Sequence, residues 1–271
     1  TENAPLDDAA LSASQQSAFE RDVLPEDSRE VYPSLSYSFF KPSYYSFQNL
    51  STFGKTEDVR VGPALGASLR LPSRALGSRR DSAFFGASAG YVYAQSSTLA
   101  QLAGSGSGEL RDGAVINRVW SGLVRGATPH FLGFRFAARL GWTLRQSFDE
   151  NVLISIGGNN GLRGYPSQAF QGYSVNSMLG SLELRSLPFV YRSVHTGLVA
   201  FYDAGSLYDE IEDLRLHQSV GLGARVLLPQ LNRFAYRFDL GIPLDGRGFQ
   251  VLLMIGRGQS LALTPADDAL N

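Results

Sequence analysis

Long runs of apolar–polar alternation constrain the fold of this chain more than any other feature of its sequence. Between Leu132 and Leu144, every second residue is apolar, and most of the residues between them are small or are arginines. A β-strand separates two such sets onto opposite faces, whereas a helix would spread both around its circumference. Nine further segments predict strands by the same pattern, some of them less strictly: 31–53, 59–71, 83–97, 114–127, 174–187, 193–207, 216–228, 234–244 and 249–255.

The length of these runs decides where their apolar faces lie. Most runs last roughly 11 to 16 residues, whereas strands of soluble proteins usually have about 5–6 and tilted strands cross a bilayer with about 9–11. In a membrane barrel the apolar face contacts lipid and the polar face lines a lumen. The connections also alternate between short and long, as periplasmic turns and outer loops do. The short ones are 127–130, 188–192 and 229–233, and the longer ones are 98–113, 147–173, 207–215 and 245–248. The sequence therefore predicts an all-β protein, a transmembrane antiparallel β-barrel.

The strand number is predicted as ten to twelve. Ten strands follow if 31–53 is one long or broken strand. Lys41-Pro42-Ser43 could instead form a hairpin turn, because proline interrupts a ladder, and an even number would then take one more strand from the leader. We favour twelve, since a wider barrel leaves more lumen for the long loop at 147–173. The predicted organisation is a polar leader, flexible or a short helix, over 1–30, the barrel over 31–258, and a C-terminal tail over 259–271.

The composition argues against several other classes of protein. Lysine and arginine number 24 against 25 acidic residues, a net charge of −1, whereas nucleic-acid binders usually carry a basic excess. The chain has no cysteine, and its three histidines lack metal-ligand spacing, so we expect no metal and no cofactor. Ser88 lies in a G-x-S-x-G motif, but inside an alternating strand rather than at a strand–turn–helix junction. A lipid hydrolase is therefore the least favoured hypothesis, and we expect no enzymatic activity.

The segment 157–165, Gly-Gly-Asn-Asn-Gly-Leu-Arg-Gly-Tyr, carries the most specific signal in the chain. Its glycines permit positive φ and tight folding of the loop. One interpretation is a surface loop whose Arg163 is solvated. The other is a loop tip that enters the lumen, where Arg163 meets inward acids, because the alternation places Glu183 and Asp203 on inward faces. The same alternation predicts further lumen-lining residues: Arg60, Arg70, Arg135, Arg139, Arg225, Arg237 and Asp239.

The loop motif Leu162-Arg163-Gly164-Tyr165, together with Phe201-Tyr202-Asp203-Ala204-Gly205, resembles the BamA/TamA superfamily of outer-membrane insertases and two-partner-secretion transporters. The resemblance covers 130–258 by motif and 31–130 only by pattern. It implies that the loop lies inside the barrel and that Arg163 pairs with Glu183 and Asp203. We assign these residues to a loop lock: Arg163, Gly164, Tyr165, Glu183, Asp203 and Gly205.

The resemblance also implies a function and a location. It implies an integral protein of the bacterial outer membrane that inserts or translocates polypeptides, or lipids, through a lateral seam between the first and last strands. The seam would join 31–41 to the end of the barrel, where Gly248, Gly256 and Gly258 carry no side chains to pack. The expected partners are outer-membrane lipid and an unfolded or secreted polypeptide, and no nucleic acid.

The sequence departs from the family's pattern at both ends. The leader 1–30 is too short for the periplasmic POTRA domains of the family, so we expect either a short, POTRA-less form that works with a separate periplasmic partner or a fragment of a longer protein. The length also supplies fewer strands than the usual barrel of the family, and the chain continues past the last strand. The alternative function is a passive or structural outer-membrane channel, whose arginine-lined lumen would favour anions.

Overall fold

The computed structural model describes Ser12 and residues 29–149, 151–231, 235–245 and 252–263. Apart from Ser12, Arg29 and Glu30, the predicted leader lies outside the described residues. Within them, seven strands form the N-terminal half: β1 Ser34–Phe40, β2 Ser43–Gln48, β3 Thr56–Arg70, β4 Ala83–Gln95, β5 Thr98–Arg111, β6 Ala114–Ala127 and β7 Phe134–Gln146. Eight more follow: β8 Leu153–Ile156, β9 Phe170–Tyr173, β10 Asn176–Ser186, β11 Phe189–Tyr191, β12 Val194–Tyr208, β13 His217–Leu227, β14 Tyr236–Pro243 and β15 Leu252–Arg257. Two single 3₁₀ turns lie in connections, at Arg74–Leu76 and Ile211–Asp213.

One large antiparallel sheet contains nearly all of these strands. Its order is β1-β3-β4-β5-β6-β7-β10-β12-β13-β14-β15, with β2 added to β3 and β11 added to β12. Two of its 13 strands thus lie off the main path, which leaves eleven positions among the described residues. The predicted all-β antiparallel architecture is confirmed, with a strand number between ten and the favoured twelve. The strands β8 and β9 pair only with each other, as a hairpin within the long connection from β7 to β10.

The segment 98–113 was predicted as a long connection, and this prediction is wrong. It forms β5, which pairs with β4 and β6 along its whole length, and it ends in a tight turn at Asp112-Gly113, where both residues have positive φ. Its alternation is hidden because glycines occupy outward positions. A Cβ on Gly106 would lie 2.6 Å from the ring of Trp120 on the next strand, so the neighbouring aromatic side chain covers the outer face there.

The Lys41-Pro42-Ser43 segment is a break in one strand and not a hairpin turn. Phe40 pairs with Ala64, and Ser43 pairs with Val61, so β1 and β2 run in the same direction along β3. This arrangement corresponds to the broken-strand alternative for 31–53. It removes one of the two strands that a count of twelve required.

Arg60 was predicted to line the lumen, and this prediction is also wrong. In a regular strand Val59 and Leu65, six positions apart, would lie on the same face. Val59 is instead buried at 6% exposure among interior residues, whereas Leu65 is 51% exposed on the outer face. The face therefore switches between them, at Gly62, whose φ of +95° marks an irregularity in β3. Arg60 consequently lies on the face opposite Val59, exposed, with its guanidinium 4.6 Å from the ring centre of Phe40.

The two faces of the sheet have the polarity of a membrane barrel. Leu198 and Leu222 are 68% and 67% exposed on one face, whereas Arg225 and Asp239 are fully buried on the other. Soluble proteins rarely bury such charges while exposing so many large apolar side chains. The polarity is therefore inverted, as in a sheet whose outer face meets lipid and whose inner face is packed. No helix among the described residues is long and apolar enough to span a membrane.

Candidate functional site

The long connection between β7 and β10 folds into the interior of the curved sheet. Its hairpin β8–β9 brings Ile156, Leu162 and Tyr165 into one buried apolar cluster, with Phe170 and Leu179 packed against it. The Tyr165 hydroxyl donates a hydrogen bond of 2.9 Å to a backbone carbonyl of β13. Apolar packing of Leu162 and Tyr165 thus holds Arg163, which lies between them in the sequence, against the wall formed by β10 to β14.

Arg163 is the centre of the interior ionic site. Its Nε and Nη2 donate to the two carboxylate oxygens of Asp203 at 2.7 and 2.8 Å, and its Nη1 donates to Glu183 Oε1 at 2.7 Å. The backbone N–H of Arg163 also donates to Asp203, at 3.2 Å. The guanidinium stacks 3.7 Å from the ring centre of Phe201. A bidentate pair with planar stacking uses the specific geometry of arginine, which lysine lacks.

A third acid extends this pair into a network. Asp239 Oδ2 lies 3.5 Å from Nη1 of Arg163, and Asp239 Oδ1 accepts a hydrogen bond of 2.5 Å from Arg225. Arg185 in turn donates to Glu183 at 2.7 Å. Every one of these side chains is nearly or fully buried. These buried charges are compatible with the folded state only because they are paired, since burial of an unpaired charge would strongly destabilise the protein.

The charge of Arg163 is secured by its surroundings. Burial opposes the charged guanidinium, but the carboxylates of Glu183, Asp203 and Asp239 outweigh burial and raise the pKa of Arg163 above its ordinary value. The Ser181 hydroxyl also donates to Asp203. The loop tip therefore carries a permanent positive charge in the middle of the inward wall.

Two glycines allow the loop to come this close. Gly164 has φ +91°, and a Cβ on Gly164 would lie 3.0 Å from the backbone of Gly241 and Ile242 in β14. A Cβ on Gly241 would lie only 2.5 Å from the backbone nitrogen of Gly164. A further glycine of the predicted lock, Gly205, leaves room for Leu179, which a Cβ there would approach to 2.9 Å. Backbone contact between loop and wall thus depends on the absence of side chains.

The structure distributes the other predicted lumen residues unevenly. Arg135 and Arg237 are buried inward, and Arg135 donates to the carbonyl of Asn49 at 3.0 Å. Arg139 lies on the same face of β7 as Arg135 and is half-buried. Arg70 lies at the loop end of β3, exposed, with its guanidinium 4.7 Å from the ring centre of Phe84. Together with Arg225 and Asp239 in the network, the buried charges among the predicted lumen residues therefore lie on β7, β13 and β14.

The predicted seam glycines are described only in part, since Gly248 lies outside the described residues. A Cβ on Gly256 would lie 2.7 Å from the Arg237 guanidinium, so this position faces inward. Gly258 has φ +69° and donates its N–H to Ala235 at 2.8 Å. These two glycines thus make room for an interior arginine and for a turn.

Sequence reasoning missed Asn159 as part of the site. Its side-chain oxygen accepts a hydrogen bond of 3.0 Å from Arg237, and its nitrogen donates to the Ile255 carbonyl in β15 at 3.4 Å. The loop tip is therefore bonded to the last strand of the sheet. The Gly-Asn run around Asn159 was recognised as a tight loop, but no spacing in the sequence indicates a contact with residues 78 and 96 positions away.

The sheet has an exposed apolar outer face and a charged inner face, and a loop is anchored against the inner face. These features define an outer-membrane-type β-barrel protein. The model of the Omp85 superfamily domain matches residues 118–250, a range that includes the loop and all three acids of the network. Residues 118–250 thus form a domain of this superfamily, which is the BamA/TamA-like family. No curated protein matches the chain. Proteins of the superfamily are outer-membrane β-barrels that act as insertases or transporters rather than enzymes.

Proposed function

We propose that this protein inserts or translocates polypeptides at the bacterial outer membrane, through a lateral seam between β1 and β15. The observation that carries the proposal is the bond between loop and edge strand: Asn159, at the locked loop tip, donates to the carbonyl of Ile255 in β15. Because β15 is one end of the pairing path and β1 is the other, the loop touches the strand that would move.

In the proposed mechanism, the ionic network acts as a lock and performs no chemistry. Arg163 holds the loop against β10 and β12, and the neighbouring Asp239 joins β14 to the same network. The wall from β10 to β14 is thereby stiffened next to the seam. Opening would then be confined to the β1 and β15 edges, since the ion pairs of Arg163 join only β10, β12 and β14.

The edges themselves supply the binding chemistry. A strand at the end of a sheet presents unpaired N–H and C=O groups that can pair with an extended segment of another chain. On the outer face of β1, Leu35 and Tyr37 are 72% and 64% exposed, so a strand added there would continue an apolar surface into lipid. A segment that alternates apolar and polar residues fits this edge, and outer-membrane proteins consist of such segments.

A reversible cross-link tests the seam. Because the chain has no cysteine, paired cysteines can be introduced at Tyr37 in β1 and at Leu253 or Ile255 in β15. We expect the oxidised protein in proteoliposomes to lose insertion of an unfolded barrel substrate and a reductant to restore it. The matched control is a disulfide at Ala67 and Ala87, which face each other in β3 and β4 and should leave insertion unchanged. A seam disulfide that forms fully without effect on insertion would exclude the lateral route.

The passive-channel alternative is less well supported. Interior arginines donate to carboxylates or backbone carbonyls, as Arg135 does to Asn49 and Arg185 to Glu183 and Leu50. Guanidinium groups engaged in this way offer little to a passing anion. The channel hypothesis predicts anion-selective conductance in planar bilayers that a seam disulfide does not change.

A further inference from the structure

The chain re-enters the interior after β15, the last strand among the described residues. Beyond β15 it turns at Gly258, and Leu261 and Leu263 lie inside at 1% exposure each. We call residues 259–263 the inward tail. The side-chain amide of Gln259 donates a hydrogen bond of 3.4 Å to the backbone carbonyl of Ser51, in the connection between β2 and β3. This connection is at the end of the sheet opposite the long loop, so the tail lies at that end.

Three arginines from three different strands bind the inward tail. Arg225 of β13 donates to the side-chain oxygen of Gln259 at 3.0 Å. Arg185 of β10 donates to the Leu261 carbonyl at 2.6 Å, and Arg125 of β6 donates to the Ala262 carbonyl at 3.3 Å. Two of these bonds recognise backbone carbonyls, which every polypeptide presents. Recognition of this kind tolerates many sequences.

An apolar pocket lies beside the arginines. Leu261 and Leu263 belong to one buried cluster with residues from six other parts of the chain: Phe47, Leu50, Val59, Leu99, Ala127 and Ala137. The arginines and this cluster together form what we call the tail socket. The socket thus combines donors for a peptide backbone with a pocket for leucine side chains.

We propose that the tail socket is a binding site for a leucine-containing segment of another polypeptide, and that the inward tail occupies it in competition with that segment. The composition of the socket favours this over a site for lipid or for a small anion, since its donors meet peptide carbonyls and its pocket meets leucines. The identity of the segment as a substrate of the barrel rests on the proposed function. Binding and displacement do not, because they are properties of the socket alone.

Displacement can be measured on the full chain. A single cysteine replaces Ala262, which is 4% exposed, and its labelling by a maleimide is followed in detergent micelles. The probe is a synthetic peptide with the sequence of residues 258–264. We expect slow labelling without peptide and at least tenfold faster labelling with excess peptide. The same peptide with aspartate at both leucine positions should have no effect, and Ser96→Cys, in an exposed turn, should label fast in all conditions.

A second variant keeps the test informative if the cysteine disturbs the tail. Arg125→Ala removes one backbone donor, and in an Ala262→Cys background it should accelerate labelling severalfold, whereas Arg125→Lys should do so less. Labelling of the Ala262 cysteine as fast as that of the Ser96 cysteine, without peptide, would show that the tail does not occupy the socket. Unchanged slow labelling at saturating peptide would show a fixed structural plug. A peptide response in a protein whose insertion ignores the seam disulfide would sustain the socket and refute the proposed function.

Discussion

Replacement of Arg163 by alanine should destabilise the barrel by about 3–5 kcal/mol, the usual cost of leaving one member of a buried ion pair uncompensated. The structure shows which member that is. Glu183 keeps Arg185, and Asp239 keeps Arg225, but Asp203 loses both of its guanidinium bonds and keeps only the neutral donors, the Ser181 hydroxyl and the backbone N–H of residue 163. The penalty therefore falls on one carboxylate, which is fully buried.

The comparison of variants makes this prediction specific. Arg163→Lys retains the charge but not the planar bidentate contact, so we expect a loss of about 1.5–3 kcal/mol, the range for a hydrogen bond to a charged group. The double variant Arg163→Ala with Asp203→Asn should recover part of the loss, since no unpaired carboxylate then remains at this position. Arg215→Ala, at an exposed loop position, is the control and should change stability by less than about 0.5 kcal/mol.

Urea unfolding of the folded protein in micelles, followed by tryptophan fluorescence and by the heat-dependent shift in gel migration, measures these differences. With a slope of about 1–3 kcal/mol per molar urea, the alanine variant should lower the midpoint by at least about 1 M. An alanine variant within about 0.5 kcal/mol of the parent would refute the lock. So would a double variant less stable than Arg163→Ala alone.

Three further predictions concern the surroundings of the lock. Gly241→Ala should displace the loop, because its Cβ would lie 2.5 Å from loop backbone, and protease sensitivity of the loop should rise; an unchanged cleavage rate would contradict this contact. Relative to the parent protein, Asn159→Ala should reduce insertion activity by a larger fraction than the urea midpoint, because it removes the bond to β15 but no ion pair. Equal fractional losses would show that the bond between Asn159 and β15 has only a structural role. Burial and then the charge of Arg135 lower the pKa of His130 below its ordinary 6.5, so stability should fall as pH drops below that value, since the unfolded chain takes up the proton first. Urea midpoints of His130→Asn should lack this part of the fall between about pH 7 and pH 5.

The sequence predicts those strands whose outward positions carry bulky apolar side chains. β7 is the clearest case, since Phe134, Phe136 and Leu140 are all exposed on its outer face. β5 was missed because part of its outer face is supplied by neighbours, with Trp120 lying over Gly106. Local alternation records only the side chains of its own strand, so aromatic cover from an adjacent strand leaves no local signal.

The irregularity at Gly62 shows a second limit. Alternation assigns faces only while the two-residue period is unbroken, and one residue with φ +95° reverses the assignment on one side of it. Arg60 was placed on the wrong face for this reason. The apolar residues on the two sides of Gly62, such as Val59 and Leu65, keep the same two-residue phase, so the alternation itself gives no sign of the break.

Some residues of the candidate site were likewise predictable from the sequence, and others were not. Alternation placed Glu183 and Asp203 inward, and the family resemblance supplied Arg163 as their partner. The contact of Asn159 with β15 and the return of the tail into the socket depend on packing between distant segments. Neither leaves a periodic trace, so only the structure places them.

The central claim is that the apolar face of the sheet contacts lipid and the charged face lies within. The two tryptophans of the chain, Trp120 and Trp142, test it directly because both lie on the outer face, where their rings cover Gly106 and Gly122. In vesicles with brominated acyl chains, we predict strong quenching of tryptophan fluorescence and little quenching by aqueous iodide. Strong iodide quenching without bromine quenching would place this face in water and contradict the account.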